Sequence, residues 1–263
     1  MTSQPRLTAK DITRRFKGTG AEILALDHVS LSVSEGEFIT IVGPSGCGKS
    51  TFLHMVGGFD RPDSGELRLG DAPITSPGPE RGMMFQDLSL FPWLTVAQNI
   101  SWPLDVKKVE AGRKAALIEE ILALVHLQGM GGLYPGQLSG GMRQRTALAR
   151  LIALDPAIML MDEPFGALDS QTREILQEEL QSIWRMKKKT VLFVTHDIDE
   201  AIYLGTRVIV FSARPGRIRA DIPVPGGPDR DARFRTTPEY TALRIRIWEM
   251  LREEMAKSRV GAL

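Results

Sequence analysis

Gly43, Pro44, Ser45, Gly46, Cys47, Gly48, Lys49, Ser50 and Thr51 form one run that fits G-x-x-x-x-G-K-[ST]. The run follows the apolar segment Phe38 to Val42 and precedes a plausible helix from Lys49 to Val56. Glycines let such a loop curl until its N–H groups face phosphate oxygens. The helix N-terminus behind it adds a positive dipole end. Lys49 supplies a point charge for β- and γ-phosphates, and the Ser50 hydroxyl suits Mg²⁺. Thr51 is placed to meet an α-phosphate. A glycine-rich turn matches this spacing by chance in on the order of one chain in a hundred of this length. The strand before it and the helix after it favour nucleoside triphosphate binding.

A second constellation lies at Ile158-Met-Leu-Met-Asp162-Glu163-Pro164, an apolar run ending in two carboxylates. A buried parallel strand delivers its C-terminal residues to the crevice where α/β proteins bind ligands. Asp162 can hold Mg²⁺, and Glu163 can polarise a water as general base. Alone, Asp-Glu-Pro after a strand reads equally well as a helix cap. Beside the phosphate loop, the hydrolytic reading takes precedence. Transfer of phosphate to a small molecule is less favoured, because Glu163 suits activation of water. A third feature, Leu138-Ser-Gly-Gly-Met142, opens another helix with a Ser and paired glycines. It has no Lys at the loop position and, in isolation, reads as a Ser-capped helix.

These residues need elements to position them. Leu31 to Val33, Phe38 to Val42, Glu66 to Leu69 and Arg81 to Phe85 read as strands. Ala111 to His126 and Met142 to Ala153 have helical apolar spacing. After Pro156 come strand Ile158 to Met161, helix Gln171 to Lys187, strand Thr190 to Val194 and helix Asp197 to Leu204. Strands Arg207 to Phe211 and Arg217 to Ile222 follow. Pro223 to Pro228 reads as a Pro/Gly linker and Glu239 to Lys257 as a last amphipathic helix. The alternation predicts an α/β core. The helical block between its strands, about 88–155, reads as an inserted lobe. The whole chain, 1–263, is expected to be one domain: core 1–87 and 156–222, lobe 88–155, linker and helix 223–263.

Composition narrows the classes. Lys plus Arg is 33 and Asp plus Glu 32, a net charge of +1, so bulk charge gives no case for nucleic-acid binding. The 43% of hydrophobic residues excludes a disordered chain. The lone Cys47 excludes an intramolecular disulfide and a zinc site built on two cysteines. The run from Met1 to Asp11 lacks the apolar core of a signal peptide. Ile121 to Met142 is free of charged residues but broken by glycines and Pro135, so it is no membrane span. A soluble, cytosolic chain is the expectation.

The ordered set of the Walker A loop at Gly43–Thr51, Gln86, Leu138-Ser-Gly-Gly-Met142, Asp162-Glu163, Ala167-Leu168-Asp169 and His196 resembles an ABC-transporter ATP-binding subunit. The pattern spans Phe16 to His196. Finer details resemble the nitrate/sulfonate/taurine importer branch: the Cys-Gly-Lys-Ser of the loop, Phe91-Pro-Trp-Leu-Thr-Val96 and Gly-Gly-Met-Arg-Gln-Arg145. The resemblance implies a P-loop NTPase core, a mixed sheet with flanking helices, with an N-terminal antiparallel β-subdomain and an inserted helical lobe.

The resemblance also implies roles. Phe16 would stack on adenine, where the bland alternative is a core Phe on an edge strand. Gln86 would reach Mg²⁺ and the attacking water, and His196 the γ-phosphate. Asp169 would cross a dimer interface. Ser139, Gly140 and Gly141 of one copy would cover the ATP of a second, head-to-tail copy. Met142 stands where the family often has Gln, so its side chain could not donate to the ribose or a nearby loop, while the contacts of Ser139, Gly140 and Gly141 would survive.

The expected cofactors are ATP and Mg²⁺. The expected partners are two transmembrane permease subunits, a second copy of the chain and, indirectly, an extracytoplasmic solute-binding protein, with no nucleic acid. The place implied is the cytoplasmic face of the membrane, as a peripheral subunit importing a small anionic solute. The turn Asp87 to Leu94, with Leu88, Leu90, Phe91 and Trp93, reads as core from composition and as a docking surface from the resemblance. A DNA-repair or chromosome-maintenance ATPase would need coiled-coil arms that the interval from Gln86 to Leu138 is too short to hold. A ribosome-acting ABC protein usually carries two cassettes. An ABC exporter subunit stays open as the alternative.

Overall fold

The computed structural model describes residues 6–17, 22–227 and 230–260. Parts of the expected polar N-terminus and linker, 1–5 and 228–229, lie outside the described residues. In chain order the elements are β1 (Leu7–Lys17), β2 (Glu22–Val33), β3 (Phe38–Val42), α1 (Lys49–Gly57), β4 (Ser64–Leu69), β5 (Ala72–Pro73) and β6 (Arg81–Met84). Next come α2 (Val96–Val106), α3 (Ala111–Leu124), α4 (Gly140–Leu154), β7 (Ile158–Asp162) and α5 (Ser170–Lys187). The chain ends with β8 (Thr190–Val194), α6 (Ile198–Leu204), β9 (Arg207–Phe211), β10 (Ile218–Pro223) and α7 (Pro238–Val260). They form two compact units, Met1–Gly78 with Lys188–Leu263, and Pro79–Lys187.

The first unit holds an antiparallel sheet in the order β2-β1-β4-β5. β1 escapes a period-two reading because its register slips between Ala9 and Ile12 and again before Arg14, so the buried residues are Leu7, Ala9, Ile12 and Thr13. In the same unit β3 lies between β8 and β9, parallel to both, and β10 adds an antiparallel edge to β9. All five residues of β3 and of β8 are buried, as strands covered on both faces require. α6 and α7 cover this sheet through Ile202, Tyr240 and Ile247, which pack with Val42, Val208 and Val210. Burying one such aliphatic side chain stabilises by about 1.5–3 kcal/mol.

The second unit pairs β6 with β7 in parallel, Arg81 opposite Ile158 and Met84 opposite Met161. α4 lies so close to β6 that a Cβ at Gly82 would strike Leu151. α2 starts at a capping box: the Thr95 hydroxyl accepts the Gln98 N–H and the Gln98 side chain accepts the Thr95 N–H. The Thr-x-x-Gln spacing was a readable signal for this helix start. α4 begins two residues earlier than its apolar spacing predicts, because Ser139 caps it ahead of Gly140.

Candidate functional site

β3 ends at Val42 and the loop Gly43–Gly48 turns into α1. Gly46 and Gly48 have φ of 72° and 103°, a region that L side chains rarely adopt. Space is equally restrictive: a Cβ at Gly48 would lie 2.7 Å from Leu26 Cδ2 and 3.0 Å from the Ala25 carbonyl oxygen. A Cβ at Gly43 would lie 2.9 Å from both Cys47 Sγ and Phe211 Cβ. Gly48 is the N-cap of α1 and makes no side-chain cap. The first turn of α1 therefore opens towards the loop with its N–H dipoles, an anion-binding arrangement.

Lys49 lies back across this loop. Its Nζ donates to the carbonyls of Gly43 at 2.9 Å and Pro44 at 3.1 Å, and the residue is 6% exposed. A buried ammonium held by neutral carbonyls gains further from an anion beside it. Cys47, in the same loop, is buried, with Sγ 4.0 Å from Lys49 Nζ. Burial pushes its thiol up, only partly opposed by the Lys49 charge, so the reactive thiolate is disfavoured.

His196 lies exposed just past β8, the strand beside β3, so it leaves the same sheet edge as the glycine loop. Asp197 next to it caps α6 by accepting the Glu200 N–H at 3.0 Å. Phe16 sits near the end of β1 opposite Ile23 and is 39% exposed, so it is not a core residue. The Arg14 guanidinium covers one side of its ring at 4.8 Å from the centroid. Arg14 is itself fixed by Asp60 and Asp63, at 2.8 and 3.0 Å.

In the second unit, Asp162 is the last residue of β7 and is buried. Glu163 follows with φ of 45°, left-handed backbone that costs a non-glycine residue about 1 kcal/mol or more. Gln86 lies exposed two residues past β6, so it leaves the same strand edge as Asp162 and Glu163. The chain after it turns sharply through Leu88 and Ser89, with φ of 61° and 42°. Arg150 of α4 clamps that turn, donating to the Leu88 carbonyl at 2.9 Å and the Ser89 carbonyl at 2.7 Å. Burial lowers the Arg150 pKa, partly offset by Asp87. Arg150 ties the segment after Gln86 to the helix that Ser139 begins.

At the start of α4, the Ser139 hydroxyl accepts the Met142 N–H at 3.3 Å. A Cβ at Gly140 would sit 3.6 Å from Leu168, and one at Gly141 would sit 2.9 Å from Thr172 Cγ2. Asp169 accepts the Thr172 N–H at 3.0 Å, and that bond holds its carboxyl below the usual range. Ser139, Gly140 and Gly141 thus lie beside the segment from Leu168 to Thr172.

The turn after Gln86 also carries an exposed aromatic group. Phe91 stands 5.7 Å from Trp93 and 5.1 Å from Trp102, with 70% of Trp93 and 50% of Trp102 exposed. The composition-based reading of Trp93 as core is therefore wrong. Asn99, fully buried, builds this turn. Its amide Nδ2, with two N–H groups, lies 3.0–3.2 Å from the carbonyl oxygens of Phe91, Leu94 and Thr95 and shares its donation among them, and its oxygen accepts the Phe91 N–H at 3.0 Å. Neither Asn99 nor Arg150 stood out in the sequence. Among the described residues, no group of three or more His, Cys, Asp and Glu is placed to hold a metal. No helix of the described residues is long and apolar enough to cross a membrane.

A family model described as ABC transporter matches residues 26–166. The taurine import ATP-binding protein TauB of Pelagibacter ubique is 45% identical, over 95% of this chain and 98% of its own. The aliphatic sulfonates import ATP-binding protein SsuB of Bacillus subtilis is 43% identical, over 89% of each chain. Among solved structures, the dimeric ATP-binding cassette MJ0796 bound to ADP and Pi matches with a TM-score of 0.74 and 34% identity. That match covers 84% of this chain and 99% of MJ0796.

Proposed function

The chain belongs to the ABC transporter family, and on that premise we propose that it is the subunit that binds and hydrolyses ATP to drive import of a small anionic solute. The glycine loop with Lys49 folded across it carries the nucleotide half of this reading. Likeness to SsuB and TauB over most of the chain supports a sulfonate such as an alkanesulfonate or taurine, and nitrate stays in the proposal through the resemblance of the motifs to the importer branch.

In this reading the loop N–H groups and Lys49 hold the phosphates of ATP, with Ser50 and Thr51 in the first turn of α1. Phe16 stacks on the adenine with the side of its ring not taken by Arg14. Glu163 is the general base for the attacking water, and His196 contacts the γ-phosphate. Ser50, Gln86 and Asp162 would hold Mg²⁺. The donor set fits that ion, which takes one or two carboxylates and completes its shell with water and phosphate oxygens rather than an all-protein cage. Bound there, Mg²⁺ would neutralise phosphate charge.

Two copies pack head to tail, and Ser139, Gly140 and Gly141 of one close over the nucleotide of the other. Asp169 lies at that interface. Closure on ATP and opening after hydrolysis provide the stroke. Two membrane permease subunits receive it, the exposed turn at Phe91 and Trp93 docks them, and an extracytoplasmic solute-binding protein supplies the solute. The subunit works at the cytoplasmic face of the membrane.

Reconstitution with the permease subunits tests the reading. ATP should drive uptake of an alkanesulfonate, taurine or nitrate into proteoliposomes. Trp93→Ala should cut that uptake while basal ATPase activity stays at the parental level. Equal uptake by variant and parent would remove Trp93 from the coupling surface.

A further inference from the structure

The loop between β9 and β10 is packed against the phosphate loop and anchored from α7. Gly216 in this loop is buried, and a Cβ there would strike the Cys47 carbonyl oxygen. Its N–H donates to the Ala25 carbonyl at 2.8 Å, and its carbonyl accepts the Asp27 N–H at 3.0 Å. Ala25 and Leu26 are also the residues that limit space at Gly48. Ser212–Gly216, β2 and Cys47–Gly48 therefore form one close-packed backbone cluster.

Two devices fix this cluster. The Ser212 hydroxyl donates to the carbonyls of Ala213 at 2.9 Å or Pro215 at 3.0 Å, and accepts the Arg217 N–H at 3.0 Å. The second device comes from far along the chain. Glu254 of α7, whose side chain is 4% exposed, accepts the Ala213 N–H at 3.0 Å through Oε2. Its Oε1 accepts from Lys257 at 2.6 Å and lies 3.7 Å from Arg219 Nε. A carboxylate in this position is costly to bury without partners, and its partners here hold one backbone conformation.

We propose that Glu254 is a positioning residue for the phosphate loop. By fixing Ala213 it holds Gly216 against the Cys47 carbonyl, and so sets the curve over which Lys49 lies. The C-terminal helix thereby contributes to ATP affinity without touching the nucleotide. This inference rests on the reading of Gly43–Thr51 as the ATP loop.

The experiment compares Glu254→Ala, Glu254→Gln and Lys257→Ala with the parent in the full chain. Cys47 is the only cysteine, so its reaction rate with a thiol reagent, without nucleotide, reports opening of the loop. Glu254→Ala should weaken ATP binding about tenfold, raise KM and leave kcat unchanged, since a charge-assisted bond is lost away from the reacting atoms. It should also speed Cys47 modification. Glu254→Gln retains an oxygen for Ala213 and should stay within about twofold of the parent, as should Lys257→Ala.

A general loss of stability would lower Tm without this split of KM from kcat or the rescue by Gln. Should Glu254→Ala not fold, hydrogen exchange on the parent decides. ATP should slow exchange at Ala213, and an unchanged rate there would overturn the inference. Parental ATP affinity and parental Cys47 reactivity in a folded Glu254→Ala would overturn it too. A parent that does not bind ATP would instead refute the ATP-loop reading, and the thiol arm would still test the role of Glu254.

Discussion

Lys49 holds a buried charge over a loop whose glycines are dictated by φ at Gly46 and Gly48 and by space at Gly43 and Gly48. Removing the charge with Lys49→Ala should weaken ATP binding about ten- to a hundredfold. The fold should survive, because the carbonyls of Gly43 and Pro44 can be met by water instead. Titration calorimetry measures this, and parental affinity would contradict the assignment. This loop was legible in the sequence because its chemistry is local: nine neighbouring residues specify backbone, charge and helix start together. Asp162 and Glu163 were legible for the same reason, at the end of an apolar strand. The left-handed backbone of Glu163 was not, since φ depends on packing around it. Arg150, Asn99 and Glu254 were also illegible. The carbonyls that Arg150 holds lie 61 and 62 residues away, and Glu254 acts on a residue 41 away.

The segment after Gln86 behaves as a built turn rather than a loose loop. Arg150 fixes its beginning at Leu88 and Ser89, and Asn99 fixes its end at Phe91–Thr95. Asn99→Ala would remove the side-chain partner of the Phe91 N–H and of the Phe91, Leu94 and Thr95 carbonyls and should cost about 2 kcal/mol of stability. The same variant should lose coupled uptake, because the Phe91–Trp93–Trp102 group would lose its frame. Chemical denaturation gives the first quantity and proteoliposome uptake the second, and a change within about 0.5 kcal/mol would contradict the role of Asn99. Helices with long apolar periods, such as α5, were readable. β1 was not, because bulges break the alternation that marks a strand. The turn after Gln86 misled composition, since apolar residues usually indicate core and here Trp93 is exposed.

A chain of 263 residues with net charge +1 has curated relatives that match it over nearly their full length. Its family model ends at residue 166, so the loop Ser212–Gly216 and α7 lie outside that match. The first of the two compact units joins residues from both ends of the chain, which is why α7 can reach towards the phosphate loop at all. The near-neutral balance fits a subunit that docks on protein. In the proposed cycle ATP closes two copies of this chain and Glu163 activates the water that releases them. Glu163→Gln keeps the side-chain shape and loses the base. Sedimentation of the purified variant with ATP, alongside its turnover rate, is the direct measurement. Glu163→Gln should form a stable ATP-bound dimer with hydrolysis reduced at least about a hundredfold, the loss expected when a general base is removed. A variant that hydrolyses ATP at the parental rate and sediments as a monomer would contradict it.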